Sequence, residues 1–244
     1  MVIFGASGDL AHRKLIPAIY SLAHEGSLPP YFALVAVAVS EFTTESFRED
    51  MKQAVEQFGR HKPISQAVWN ALAQNVHYIQ GDFQQADTFR RLNALLERLD
   101  REHGTQGNRL FYLSTAPSLV ETISTQLREH GLTSSRGWRR LVVEKPFGRD
   151  LVSARTLNTH LQSVLNESEI YRIDHTHEFI VEREHEQHLM ILRHRDNASE
   201  SVLRTVPHAD SSTADLLYRE LGRRVRNRVF EKSFAMASRL LDMI

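Results

Sequence analysis

The sequence predicts an α/β fold built on a doubly wound parallel sheet, followed by a short, mainly helical tail. Short apolar runs alternate with segments of helical periodicity, which is typical of repeated βαβ units. The run at 32–39 is apolar throughout, as expected of a strand that helices cover on both faces. The first run, residues 2–4, passes directly into a turn that contains Gly5 and Gly8. Right-handed crossovers between such strands give a doubly wound sheet.

The predicted elements follow one another in a regular order. After the glycine turn, Leu15, Ile19 and Leu22 recur at helical spacing and predict the first helix. The run at 32–39 is the second predicted strand. Further strands are predicted at 76–79, 109–114, 140–144 and 170–173, and helices around 89–99, 120–127 and 150–165.

The pattern changes beyond Asp174. The segment 175–244 is rich in His, Arg and Glu, and only its end, 214–244, shows a clear helical period. We therefore divide the chain into an α/β domain at 1–175 and a tail at 176–244. His185 and His188 are spaced for one helix face, and we interpret them as part of an exposed, His-rich helix.

Composition narrows the class of protein. Thirty basic residues balance thirty acidic ones, so the net charge favours neither a nucleic acid nor an anionic membrane as a partner. The chain has no cysteine, which excludes disulfides, thiolate metal sites and cysteine nucleophiles. It shows no HExxH motif, no run of eighteen apolar residues and no signal-peptide pattern. We expect a cytoplasmic protein without a metal site.

The glycine turn is a candidate phosphate site. Glycine permits a tight turn and close approach to a ligand, and the helix that follows presents free N–H groups and a positive dipole end. The spacing is G-x-x-G rather than G-x-G-x-x-G, so the turn alone is also explained by steric need. His12, Arg13 and Lys14 come next, and they either contact a phosphate or form a solvated helix face.

Two more strand ends carry polar residues. Lys145 follows the apolar run 141–143, at the edge of the sheet where α/β folds bind ligands. It either contacts a sugar hydroxyl or a nicotinamide, or belongs to an ordinary turn. Asp174 and His175 end the next strand, where a carboxylate beside an imidazole either serves a site or simply closes the strand.

Five motifs together identify a family. VIFGASGDLAHRKL, RLFYLSTAP, LVVEKPFGRDL, SARTLN and ESEIYRIDH occur in this order, and they resemble the N-terminal half of glucose-6-phosphate dehydrogenases over about residues 1–175. The resemblance implies a Rossmann-type NAD(P)-binding domain and an enzyme that passes a hydride from C1 of glucose 6-phosphate to NADP, the entry step of the pentose phosphate pathway. It also implies that the tail at 176–244 is a remnant or replacement of the substrate domain.

The resemblance implies roles for individual residues. Lys145 would contact both substrate and cofactor, and Asp174 would partner the catalytic histidine. His175 and Lys14 would hold the sugar phosphate, the small-molecule partner. A homo-oligomer is left open. The residues that would bind the cofactor are Gly5, Ala6, Ser7, Gly8, Asp9, Leu10, Ala116, Pro117 and Lys145.

The sequence departs from the family at several positions. Val39 stands where the family usually has an arginine for the 2′-phosphate of NADP, so NAD becomes an alternative cofactor. Asp174 and His175 continue into Thr176 and His177 rather than into the family's Tyr-Leu-Gly-Lys-Glu, and His208 lacks the motif of the general base. We expect a truncated or frame-shifted product with little activity. The alternatives are a non-catalytic nucleotide-binding module, or pseudoenzyme, and a fragment that does not fold stably.

Overall fold

The structure is a computed structural model. It describes residues 1–144, 146, 148, 150–173, 177–184, 187–194 and 200–204; for Leu151 and for the segments beyond 173 it describes the backbone alone. The described residues form two compact units, one that ends at Ile173 and one that contains the segments beyond it.

Six parallel strands form the sheet of the first unit, as far as the structure describes it, in the order β3-β2-β1-β4-β5-β6. Ile3 of β1 is level with Ala36 of β2 on one side and with Tyr112 of β4 on the other. The order reverses between β1 and β4, which confirms the predicted doubly wound sheet. The strands are β1 Val2–Phe4, β2 Leu34–Ala38, β3 Val76–Gln80, β4 Arg109–Leu113, β5 Arg139–Glu144 and β6 Ile170–Ile173.

Helices connect these strands. The first begins at Asp9, passes through a π turn at Ala11–Leu15 and continues as α1. Helix α2 begins with a capping box, in which Thr43 Oγ1 accepts from Ser46 N at 3.1 Å and Ser46 Oγ accepts from Thr43 N at 2.9 Å. The helices are α1 Ile16–His24, α2 Thr44–Phe58, α3 Gln66–Gln74, α4 Ala86–His103, α5 Val120–Glu129 and α6 Leu151–Val164.

The sheet lies between two apolar layers in this unit. Ile3, Leu34 and Ala36 face one layer with side chains from α1, α2 and α3. Val2 and Val35 face the other, with side chains from α4, α5 and α6. Because neighbouring residues of a strand point to opposite faces, burial on both sides requires the continuous apolar runs seen in the sequence.

The outer edge of β3 is closed by side chains. Arg48 of α2 donates to the backbone oxygen of Val76 at 2.7 Å, and the hydroxyl of Thr44 accepts from the backbone N of Tyr78 at 3.1 Å. Arg91 of α4 donates to the backbone oxygen of Gln80 at 2.7 Å. These contacts occupy backbone groups that would otherwise be open to another strand.

The described part of the second unit is an antiparallel sheet in the order β7-β8-β9. Val181 is level with Met190, and Ile191 with Val202. These strands are β7 His177–Glu184, β8 Gln187–His194 and β9 Glu200–Arg204.

The expectation of a mainly helical tail is therefore wrong for this part, and so is the His-rich helix, because His188 lies in β8. Short apolar runs within 179–181 and 189–192 suit strands, and they outweigh the helical spacing of the histidines. His185 and the helical pattern of 214–244 lie outside the described residues. Among the helices that the structure describes, none has the length and hydropathy needed to cross a bilayer.

Candidate functional site

The glycine turn lies at the carboxyl edge of the sheet, where the strand order reverses. Gly5 follows β1 with φ +75°, and its backbone N donates to the oxygen of Val37 at 2.9 Å. On the other side, the backbone N of Ser114 donates to the oxygen of Phe4 at 2.9 Å. A Cβ at Gly5 would lie 2.2 Å from the oxygen of Ser114, so only glycine fits between the ends of β2 and β4.

The turn leads directly into a helix. The backbone N of Gly8 donates to the oxygen of Gly5 at 2.9 Å, and that of His12 donates to the oxygen of Gly8 at 3.1 Å. The first N–H groups of a helix have no partner within it, and the dipole makes this end positive. The π turn at Ala11–Leu15 is a feature often found at functional sites. The arrangement suits a phosphate.

Side chains of this helix are engaged within the protein. His12 Nε2 lies 2.5 Å from Asp50 Oδ2 of α2. Arg13 Nε lies 3.2 Å from Asp9 Oδ1, and its guanidinium stacks 5.2 Å above the ring of Phe58. The observed contacts of His12 and Arg13 are thus with two carboxylates and an aromatic ring of this chain, an arrangement that the sequence pattern did not predict.

The segment after β2 is fixed from two sides. Ser40 Oγ lies 2.8 Å from Ser7 Oγ of the glycine turn, and the Tyr78 hydroxyl donates to the backbone oxygen of Ser40 at 2.6 Å. Burial, reinforced by the nearby charge of Asp50, raises the pKa of Tyr78 to about 12, so this hydroxyl keeps its proton. Val39 stands beside them with 61% of its surface exposed.

Two buried hydroxyl groups at the end of β4 have no hydrogen-bond partner among the described residues. Ser114 Oγ and Thr115 Oγ1 make no hydrogen bond within the described part of the chain. Such a group costs about 1–3 kcal/mol unless a water or a ligand supplies the bond. Ala116 and Pro117, which follow, are exposed. Ser114 and Thr115 were not predicted as site residues, although a polar pair directly after a buried strand is a usable signal.

A tyrosine and a glutamate connect β4 to the end of β5. The fully buried Tyr112 donates a hydrogen bond to Glu144 Oε1. Glu144 is half-buried and immediately precedes Lys145 in the sequence. Lys145, Asp174 and His175 all lie outside the described residues, so their predicted roles stay predictions.

The structure brings most of the predicted cofactor residues to one edge of the sheet. The turn from Gly5 to Leu10 meets the end of β4, which leads into Ala116 and Pro117. Lys14 lies in the π turn of the same helix. In the described ranges, no group of three or more His, Asp or Glu residues is arranged to hold a metal ion.

Comparison with known proteins gives the family. Residues 2–177 match the family model described as glucose-6-phosphate dehydrogenase, NAD binding domain. This chain belongs to the glucose-6-phosphate dehydrogenase family. The match confirms the resemblance carried by the five motifs.

Curated members of the family are clearly similar in sequence. Glucose-6-phosphate 1-dehydrogenase of Chlamydia muridarum is 38% identical over 240 residues, which are 96% of this chain and 46% of the relative. Glucose-6-phosphate 1-dehydrogenase 2 of Mycobacterium tuberculosis is 44% identical over 177 residues, 72% of this chain and 34% of the relative. The chain thus spans less than half the length of these family members. The chlamydial alignment also extends well past residue 175.

Solved structures of the family share the fold. A glucose-6-phosphate dehydrogenase in complex with its substrate glucose-6-phosphate matches with a TM-score of 0.66 and 34% identity, over 72% of this chain and 36% of that one. The Mycobacterium avium enzyme matches with a TM-score of 0.61 and 33% identity, over 72% and 35% of the two chains.

Proposed function

We propose that the carboxyl edge of the sheet binds a nicotinamide dinucleotide. The observation that carries the proposal is the glycine turn at the switch point, where a Cβ at Gly5 would collide with the oxygen of Ser114. The turn and the helix start would hold the pyrophosphate. The hydroxyls of Ser114 and Thr115, which have no partner in the part of the chain that the structure describes, fit a ligand that supplies polar atoms to this edge.

The proposed residues divide according to the part of the cofactor they would contact. The backbone of the turn would contact phosphate, and the segment after β2 would face the adenosine ribose. Lys145 would lie at the nicotinamide end, because it follows β5 across the switch point from β2. The proposed cofactor residues are Gly5, Ala6, Ser7, Gly8, Asp9, Leu10, Ala116, Pro117 and Lys145.

The proposed reaction is hydride transfer from C1 of glucose 6-phosphate to the bound nicotinamide. The support comes from the relatives named glucose-6-phosphate 1-dehydrogenase, and from a similar structure in complex with that sugar phosphate. Lys145 would contact both reactants and Asp174 would orient the histidine base. His175 and Lys14 would bind the sugar phosphate. When bound, the nicotinamide supplies the hydride-accepting carbon.

Several further expectations remain predictions. These are the division into a cofactor domain at 1–175 and a remnant or replacement of the substrate domain at 176–244, a place at the entry of the pentose phosphate pathway, a cytoplasmic location and the homo-oligomer left open. The resemblance favours NADP as the cofactor, whereas Val39 favours NAD as the alternative.

The test is the near-ultraviolet absorbance of reduced nicotinamide with purified chain, glucose 6-phosphate and either NADP or NAD. The expected result is a slow rise that Lys145→Ala abolishes, with Lys52→Ala, on helix α2, as the matched control. A rise that survives Lys145→Ala would contradict the role of Lys145.

A second candidate is a nucleotide-binding module without turnover. The observation that favours it is the replacement of the family's substrate lysine motif by Thr176 and His177. Calorimetric titration with the dinucleotide separates the two, since binding with a flat absorbance trace supports the module. A chain that folds cooperatively but binds neither dinucleotide would contradict both candidates.

A further inference from the structure

The end of β2 decides which adenosine ribose a doubly wound domain accepts. A carboxylate there hydrogen-bonds the free 2′-hydroxyl of NAD, and an arginine nearby accommodates the 2′-phosphate of NADP. In this chain β2 is followed by Val39, Ser40 and Glu41, and the next basic residue is Arg48. Selection between the two riboses takes place within the cofactor site and therefore rests on the proposed function.

The next arginine in the sequence and the arginine of the helix that follows the glycine turn have other partners. Arg48 donates to the backbone oxygen of Val76 through Nε at 3.1 Å and through Nη2 at 2.7 Å. Arg13 pairs with Asp9 and stacks on Phe58. A 2′-phosphate at the end of β2 would therefore find neither guanidinium available without breaking these contacts, which disfavours a dianion.

Ser40 offers a neutral group in a fixed position. Its Oγ lies 2.8 Å from Ser7 Oγ, and its backbone oxygen accepts from the Tyr78 hydroxyl at 2.6 Å. One proton of the two serine hydroxyls is used between them, which leaves the second proton and several lone pairs for a ligand. A group that both donates and accepts matches a ribose hydroxyl.

We propose that Ser40 hydrogen-bonds the adenosine ribose, and that the site accepts NAD without selecting for the 2′-phosphate of NADP. The Ser7 contact joins this ribose position to the phosphate turn. The Tyr78 contact fixes the Ser40 backbone from β3, so ligand binding does not have to order the segment.

The test compares 5′-AMP with adenosine 2′,5′-bisphosphate, which differ by the 2′-phosphate alone, by calorimetric titration of the full chain. The expected result is two dissociation constants within about threefold of each other. Binding of the bisphosphate tenfold or more tightly would overturn the inference and leave the proposed function intact. Binding of neither compound would overturn both.

Variants test the two residues separately. Val39→Arg is expected to tighten the binding of the bisphosphate about tenfold or more, because an arginine–phosphate pair is charge-assisted. The affinity for 5′-AMP is expected to stay unchanged. Val39→Gln is the uncharged control.

Ser40→Ala is expected to weaken the binding of 5′-AMP about fivefold. Ser135→Ala, on the amino side of β5, is the control for loss of a serine hydroxyl. Unchanged affinity in Ser40→Ala at an unchanged melting temperature would contradict the role of Ser40.

Discussion

The hydroxyl of Tyr112, buried in the middle of the sheet, donates a hydrogen bond to the carboxylate of Glu144 at the end of β5. The bond joins the two strands beyond the switch point at their carboxyl ends. It fixes the residue immediately before Lys145, so the geometry of the proposed nicotinamide end depends on a group inside the core.

Tyr112→Phe tests this contact. The ring and its packing are retained, but the half-buried carboxylate of Glu144 loses a donor, so we expect a loss of about 1–3 kcal/mol in the free energy of unfolding. Urea denaturation measures it. Tyr31→Phe, at a tyrosine 59% exposed, is the control and should change stability little. Equal stability of the two variants would contradict a stabilising role for the Tyr112–Glu144 bond.

Gly5→Ala tests the close approach in the turn. Gly26 has a similar φ of +67°, but a Cβ there would meet nothing within 4 Å. Gly26→Ala should therefore cost only the backbone strain of about 1 kcal/mol, whereas Gly5→Ala should cost more than about 3 kcal/mol and abolish nucleotide binding. Thermal unfolding and titration with 5′-AMP measure both effects. Similar costs at the two glycines would show that the Ser114 contact is unimportant.

The ion pair of Asp100 with Arg109 makes the free energy of unfolding depend on pH. Burial opposes its ionisation, but hydrogen bonds from Arg109 and Thr105 outweigh burial and lower the pKa of Asp100 below 3.8. A carboxyl whose pKa is lower in the folded state stabilises the fold above its unfolded pKa, and that stability is lost as the pH falls through its folded pKa.

Asp100→Asn should therefore reduce the free energy of unfolding by about 3 kcal/mol at neutral pH, because Arg109 is left buried without its charge partner. It should also flatten the decline of stability below pH 3.8. Urea denaturation at intervals of about one pH unit, from neutral pH to about pH 2, measures the free energy of unfolding as a function of pH. Glu102→Gln, in an exposed pair with Arg98, should leave the curve unchanged. A wild-type slope retained in Asp100→Asn would refute the assignment.

Arg48→Ala tests the closed edge of the sheet. Loss of the guanidinium frees the backbone oxygen of Val76, so we expect faster self-association on mild heating and a stability loss of about 1–2 kcal/mol. Light scattering during a temperature ramp measures the association. Arg90→Ala, which removes an exposed ion pair on α4, should show neither effect. Association at the same rate in both variants would count against the protective role of Arg48.

Most of the doubly wound sheet could be predicted from the sequence, because strands buried on both faces require uninterrupted apolar residues. Helices α2 and α3 were not predicted. In α2 the buried positions Phe47, Met51 and Val55 are spaced by four with charged residues on the other face, which is the amphipathic pattern that would have predicted this helix.

The site was harder to predict than the fold. The glycine spacing indicated the turn, because a left-handed backbone strongly favours glycine. The contact between Ser7 and Ser40 left no mark, because residues 33 positions apart meet only through the pairing of β1 with β2. The prediction of a helix in the tail was wrong at His188, because the histidine spacing suggested a helix where a short apolar run forms β8.

The Tyr78–Ser40 hydrogen bond couples the stability of the edge strand β3 to ligand binding. Tyr78 belongs to β3, whose opening would break its contact with Ser40 and leave Ser40 held by Ser7. Edge strands open at lower free energy than the centre of a sheet. A ligand that binds only when Ser40 is in place would then slow amide hydrogen exchange along β3. Heating would weaken the affinity for the nucleotide at temperatures below the melting of the core.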